Sequence, residues 1–406
     1  MNSLYKDSRF RSIIFANITS SIGSGITMIA IPWLLVTSQN GNEVFGYVVI
    51  GMTILNFMLT PYLGYLIDKL SRKKMIVNSK VFSLCILLLF SMIGFAGVDY
   101  ELWHYIVIYM IGSLYYTIFY PTMFALNQEL FHKDQFKVLN GTMEVQGQLS
   151  SMFAGAIASI LLLKWDLHFI LLLDVCTYAL AIYFFMKIPY VRARAVASNE
   201  SKIKASAAIG YLKKQPGMFL FLLASSLPFI AVMLTNYLFP VYLSDVLRVQ
   251  GNIYGVQGMI YGLGAVLAGV FVPIAARKFG DEKLIVASMI IFTLAIAFMV
   301  YLSIPGYLFM MLFIAIGNSG SRVARNAFMM DHIPNQMMGR VDSLLRAVGL
   351  LLRIALLGLF TGLVSTGLIL LCFSILTGIL MIASVYVILR VMGTGPSTRL
   401  YIKVIK

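Results

Sequence analysis

Charged side chains are scarce in this chain: they make up 12% of its 406 residues, about half the share of a soluble domain. A water-exposed surface around a core of this size needs more charge. The deficit excludes an ordinary soluble enzyme and leaves lipid against most of the surface. Cysteine is nearly absent. Cys85, Cys176 and Cys372 each sit in an apolar run and match no zinc spacing, so neither a disulfide framework nor a metal site is expected, and they read as small packing residues. The four histidines, His104, His132, His168 and His332, lie near loops without metal-ligand spacing and read as interfacial residues. No phosphate-binding glycine loop ends in Lys-Ser/Thr, so no ATPase and no bound cofactor is expected. Acids are also few, 16 against 31 bases. The resulting net charge of +15 does not point to nucleic acid, because the bases fall in short segments between apolar runs.

What is present is a series of apolar runs. A bilayer crossing takes about 20 residues, and twelve segments qualify: 11–36, 44–67, 75–97, 103–130, 139–163, 167–187, 217–243, 253–277, 283–303, 306–330, 341–364 and 367–390. The polar, basic start MNSLYKDSRFRS runs directly into the first of them, unlike a cleavable signal peptide. The predicted fold is therefore all-α and membrane-embedded, with twelve spans. The one long connection, 188–216, carries Arg192, Arg194, Lys202, Lys204, Lys213 and Lys214, and divides the chain into six-span bundles at 1–187 and 217–406. Of the 31 Lys and Arg, five lie inside spans and only Lys164 and Arg248 fall in loops opposite the termini. This bias predicts both termini and the 188–216 connection in the cytoplasm. Trp33, Trp103 and Trp165 fall at the opposite ends of spans, where interfacial rings are expected.

The two halves carry a faint repeat. Shifted by 205 residues, Gly64, Arg72 and Lys73 land on Gly269, Arg277 and Lys278; shifted by 203, Lys137 and Val138 land on Arg340 and Val341. Duplicated six-span halves are one common build of secondary transporters. The loop GYLIDKLSRKK at 64–74 adds a carboxylate, Asp68, to a basic cluster. Carboxylates contribute little to membrane orientation. Asp68 is instead expected to contact the free N–H groups starting span eleven, near Gly339–Val341, a latch worth on the order of 1 kcal/mol. Gly64, Asp68, Arg72, Lys73, Gly339 and Arg340 are the candidate gating residues.

GYLIDKLSRKK resembles the loop signature of the major facilitator superfamily through Gly64, Asp68, Arg72 and Lys73; the second copy, GVFVPIAARKF at 269–279, has Pro273 in place of the acid. A subgroup containing macrolide efflux proteins and siderophore exporters is similar through Pro121, Leu126, Gln135, the Trp165-Asp166-Leu167 turn and Asp174, and through Pro334, Gly339, Arg340 and Val341. The resemblance implies a monomeric bacterial cytoplasmic-membrane exporter that uses inward proton flow, with a small-molecule substrate and the lipid bilayer as its partners.

Ionisable residues inside spans are expensive and are candidate sites by default. Asp174 is the clearest proton-coupling candidate, with Glu129 and Glu144 as further candidates that also read as gate or loop partners. Arg322 and Arg325 share a face of span ten, and Arg346 and Arg353 a face of span eleven. Arg325 with Asp331 and Arg346 with Asp342 are possible local pairs. As a group the arginines favour a carboxylate-bearing cargo, which guanidinium groups grip bidentately. Asn17 and Ser24 on the polar face of span one, Tyr116 and Tyr120 on span four, and Asn318 on span ten complete the candidate substrate contacts. The leading expectation is export of an anionic amphipathic molecule such as a siderophore. Macrolide or multidrug efflux is the alternative, and a transporter-like receptor or lipid scramblase a third.

Overall fold

The computed structural model describes residues 2–132, 135–190, 210, 212, 215 and 217–393. A short helical turn, Asn2–Lys6, precedes α1 (Ser8–Thr37), α2 (Gly41–Lys69), α3 (Arg72–Phe95), α4 (Leu102–Leu130), α5 (Phe136–Lys164) and α6 (Leu167–Met186). Then come α7 (Met218–Val241), extended by a wider turn over Tyr242–Val246, α8 (Gly251–Phe279), α9 (Asp281–Met299), α10 (Ile304–His332), α11 (Asn335–Ser365) and α12 (Ile369–Gly393). Among the described residues there is no strand, and twelve helices are long and apolar enough to cross a membrane. Helix is what lipid demands, because each backbone polar group must find its partner within its own segment.

Local chemistry sets the helix ends. Asp7 caps α1 by accepting from the Arg9 backbone N–H at 2.8 Å, and the bonded Arg9 guanidinium holds its carboxyl below the usual range. Ser71 caps α3 by accepting from the Lys74 N–H. A single residue, Gly280, separates α8 from α9 at φ 85°, a left-handed conformation that a residue with a Cβ resists.

Most helices overrun their apolar runs, because backbone hydrogen bonding continues where apolarity stops. The largest overrun is in α11, which starts at Asn335 rather than Val341. This moves the helix start away from the expected latch: the Met337 and Met338 N–H groups already donate to the Pro334 carbonyl, and Gly339 and Arg340 are in the second helical turn. The side chains of Asp68 and Arg340 lie outside the described residues, as does most of the expected linker 188–216.

Two compact units emerge: Met1–Asn199 with Phe239–Gly262, and Glu200–Leu238 with Leu263–Lys406. In the first, α1 is central and packs on α6, α5, α4 and α2, while α3 bridges α6 and α4. In the second, α9 lies along α10 and against α12. The segment 239–262 joins the first unit through close backbone contact. A Cβ at Gly255 would sit 2.4 Å from the Ser159 backbone N, and one at Gly155 would sit 2.4 Å from that of Met259.

Three expectations about single residues need correction. Trp33 is not interfacial: it is buried, stacked on Tyr254 and set against Gly251, whose missing side chain makes room for the indole. Trp103 and Trp165 do remain exposed. His104 is buried rather than interfacial, since its Nδ1 accepts the Glu101 backbone N–H at 2.9 Å and closes a capping box. Cys85 and Cys176 lie on the exposed helix surface, and only Cys372 packs inside.

Candidate functional site

α3 carries a buried stripe at helical spacing: Ile76, Lys80, Ser83 and Leu87. Lys80 has no exposure at all. Its Nζ donates to Ser20 Oγ at 2.8 Å and to the Tyr115 hydroxyl at 2.6 Å. Four rings surround the ammonium, with centroids at 4.9 Å for Tyr115 and Phe119, 5.2 Å for Tyr178 and 5.6 Å for Phe185. Desolvated cation–π contacts of this kind contribute about 2 kcal/mol or more. Lys80 is one of the five Lys and Arg that the sequence places inside spans, yet it is absent from the candidate site residues read from sequence. The stripe it shares with Ile76, Ser83 and Leu87 was the available signal.

Opposite stands Asp174 on α6, also buried. Thr27 donates to its Oδ2 at 2.6 Å, and the Thr177 hydroxyl lies 3.3 Å from its Oδ1. Both charges are served by one stripe of α1. Ser20, Ser24 and Thr27, four and three residues apart, face inward together. Ser20 receives Lys80, Ser24 bonds the Tyr116 hydroxyl at 2.9 Å, and Thr27 holds Asp174. Gly23 makes this approach of α1 and α6 possible, since a Cβ there would lie 2.0 Å from Thr177 Oγ1 and 2.8 Å from Asp174 Oδ1. A small cavity with about 10 Å³ of room for a water centre is lined by Ser24, Thr27, Ser83, Gly112, Asp174 and Tyr178; that is about the space one water needs. The cluster thus offers a carboxyl able to hold or release a proton, hydroxyls able to pass one, and a fixed ammonium.

The other candidates are spread more widely. Asn17 is buried on α1 with its Nδ2 3.6 Å from Met143 Sδ, while Tyr120 stacks on Tyr116 and is exposed. Glu129 is held by Arg72 at 3.4 Å and accepts the Tyr190 hydroxyl at 2.6 Å. Burial and that bond push the Tyr190 hydroxyl up to about 12. Arg72 also donates to the Ala125 carbonyl at 2.7 Å, and Lys73 caps the end of α6 through the carbonyls of Met186 and Ile188. Two gating candidates therefore tie the 70–74 turn to α4 and α6, whereas Gly64 is exposed on α2. Glu144 is exposed and accepts from Gln148.

In the second unit, Arg346 is exposed and paired with Asp342 at 2.7 Å. The acid nearest Arg325 electrostatically is Asp342 on the next helix, not Asp331. Asp331 lies within electrostatic range of Asp281. Arg322 and Arg353 are half-buried, Arg353 with its NH1 at 3.4 Å from Met233 Sδ, and Asn318 is buried on α10. Among the described residues no cluster of His, Cys, Asp and Glu could hold a metal ion.

A twelve-span helical fold with ionisable groups sealed inside it defines a membrane transporter architecture. The family profile of the Major Facilitator Superfamily matches residues 13–356, and the chain belongs to that superfamily. It is 22% identical over 204 residues to macrolide efflux protein A of Enterococcus faecalis, covering 48% of this chain and 63% of that one. It is 23% identical over 245 residues to macrolide efflux protein A of Streptococcus pyogenes, covering 58% and 59%. The chain thus spans less than two thirds of the length of these relatives. Two solved structures share its fold. A bacterial homologue of the iron transporter ferroportin in an inward-facing state has TM-score 0.71 and 14% identity, covering 93% of this chain and 97% of that one. The nucleoside transporter NupG has TM-score 0.70 and 13% identity, covering 94% and 98%.

Proposed function

We propose that this protein is a secondary exporter of a small amphipathic molecule, driven by inward proton flow across a bacterial cytoplasmic membrane, with both termini inside. The observation that carries the reading is Asp174: a fully buried carboxyl, held by two hydroxyls, beside a water-sized cavity and a buried ammonium. A charge in that position is expensive to keep for structure alone. The protein exposes its cargo to each side of the membrane in turn, and Asp174 takes up and releases the coupled proton.

A macrolide-class cargo is favoured. The curated relatives carry that name. The anionic alternative also loses ground, because Arg346 is exposed and paired with Asp342 and Arg325 lies beside the same acid. An anionic metallophore is the second reading, carried by Arg322 and Arg353 on α10 and α11. The expected Asp68 latch belongs to the same proposal: Asp68→Asn slows turnover and leaves insertion intact, and normal turnover removes the latch.

The test uses inverted vesicles containing the full chain, an imposed proton gradient, and two probes, erythromycin and a citrate-based siderophore. Erythromycin is expected to accumulate with the gradient and to leak away on adding a protonophore. Accumulation unaffected by protonophore overturns proton coupling. Accumulation of the siderophore alone moves the cargo to the second reading. Lipid scrambling without accumulation of either probe places the protein in a different class.

A further inference from the structure

Among the described residues, Lys80 and Asp174 are the Lys, Arg, Asp or Glu side chains buried inside the first bundle, and they do not touch. Among the described ion pairs, none joins them. Each nevertheless lies within electrostatic reach of the other. Lys80 has no freedom to leave: two oxygens and four rings enclose its ammonium, and it has no exposure. Asp174, by contrast, borders the cavity. One charge is locked and the other has a place for water at its side.

Other titratable groups around Asp174 do not supply the missing charge. α4 contributes Tyr115 and Tyr116, and α6 itself contributes Tyr178, all phenols. The facing stripe of α1 contributes only the hydroxyls of Ser20, Ser24 and Thr27. α3 contributes Lys80. An ionised carboxyl in such surroundings needs a compensating charge, and Lys80 is the one these elements present.

We propose that Lys80 is a positioning residue for proton coupling: a fixed internal counter-charge that allows Asp174 to give up its proton inside the closed bundle. The bundle then alternates between Asp174–COOH with Lys80–NH3+, net charge +1, and Asp174–COO− with Lys80–NH3+, net charge zero. In the releasing step one O–H bond on Asp174 breaks and one forms on water in the cavity, and the ammonium keeps its three protons throughout. Lys80 therefore neither carries the proton nor meets the cargo. This inference rests on the reading of Asp174 as the coupling carboxyl.

The test is an infrared titration of the purified full chain. The carbonyl band of protonated Asp174 is assigned by its loss in Asp174→Asn and followed against pH. Lys80→Met is expected to raise the proton affinity of Asp174 about tenfold or more, the effect of removing a nearby opposite charge. Lys80→Met is also expected to flatten the pH profile of erythromycin transport. Because Lys80→Met can fail to fold, Tyr115→Phe and Ser20→Ala provide milder versions that loosen the ammonium, and each is expected to raise the affinity less, in the same direction. The double variant Lys80→Met/Asp174→Asn, which strands no charge, controls for folding. Unchanged affinity in Lys80→Met, or in both milder variants where Lys80→Met does not fold, overturns the inference while leaving Asp174 coupling intact. An Asp174 band that titrates normally while transport ignores the gradient overturns the coupling reading instead.

Discussion

The two bundles treat ionisable side chains in opposite ways. In the first, Lys80 and Asp174 are fully enclosed and kept apart, each satisfied by hydroxyls from one stripe of α1. In the second, Arg322, Arg325, Arg346 and Arg353 are exposed or half-buried on α10 and α11, with Asp342 serving as the near acid for two of them. Enclosed charges cannot be screened, so removing one changes the energy of the other. Charges open to solvent are screened, so each depends less on its neighbours. The first bundle encloses two charges together; the second leaves its arginines at least partly open to screening.

The largest expected effect that would break this comparison comes from Asp174→Asn. It holds the site in the neutral form that Asp174–COOH already takes beside the Lys80 ammonium, whose bonds to Ser20 and Tyr115 stay in place, so it is expected to remove the dependence of transport on a pH gradient while leaving the bundle folded. Vesicle transport measures the loss and thermal unfolding checks the fold. If transport keeps its pH dependence, the enclosed charges differ from the exposed ones only in packing. Gly23→Leu comes next. It forces α1 from α6 at Thr177 and Asp174 and is expected to destabilise by about 1–3 kcal/mol, with transport falling alongside. A neutral effect on unfolding would show that α1 and α6 move apart freely.

On the side of the second bundle, Arg353→Gln sharpens the contrast. It is expected to weaken binding of the citrate-based siderophore about tenfold, the loss of one charged hydrogen bond, with little effect on erythromycin. Equal loss for both makes Arg353 a packing residue. Arg346→Gln is expected to change stability by less than about 1 kcal/mol, because the pair with Asp342 is exposed. A larger change would place that pair among the enclosed ones.

The smallest effect is at Tyr190, outside the spans. Its hydroxyl is pushed up to about 12 by burial and the bond to Glu129, above an ordinary phenol near 10. A raised acid contributes stability below its ordinary value and loses that contribution as pH rises through about 12. Tyr190→Phe should remove one late-titrating phenol from the absorbance titration and soften the loss of stability between those limits.

Much of the architecture was legible from composition. Twelve apolar runs became twelve spanning helices because lipid leaves the backbone few alternatives. The helix ends were less legible, as α11 shows: Asn335, Gln336, Gly339 and Arg340 break up the apolar pattern over its first six residues, so apolarity gave no sign that the helix had begun. Asp174 stood out as an acid in an apolar run. Lys80, although inside a span, did not, because nothing local in the sequence shows that α4 and α6 close over it. Trp33 and His104 were misplaced for a related reason. Nearness to a span end does not mean exposure: Gly251 admits the indole and the Glu101 backbone N–H holds the imidazole.

The sequence by itself determined that this chain spans a membrane twelve times, and it predicted which loops share a side with the termini. Both depend on sums over many residues: apolar length and the placement of Lys and Arg. Only the tertiary structure decided which charges are sealed together. The meeting of Lys80 with Ser20 and Tyr115, and of Asp174 with Thr27, spans separations of 35 to 147 residues. Such meetings depend on how closely α1, α3, α4 and α6 can approach. Between α1 and α6 that distance depends on the absence of a side chain at Gly23, and no local pattern in the sequence records it.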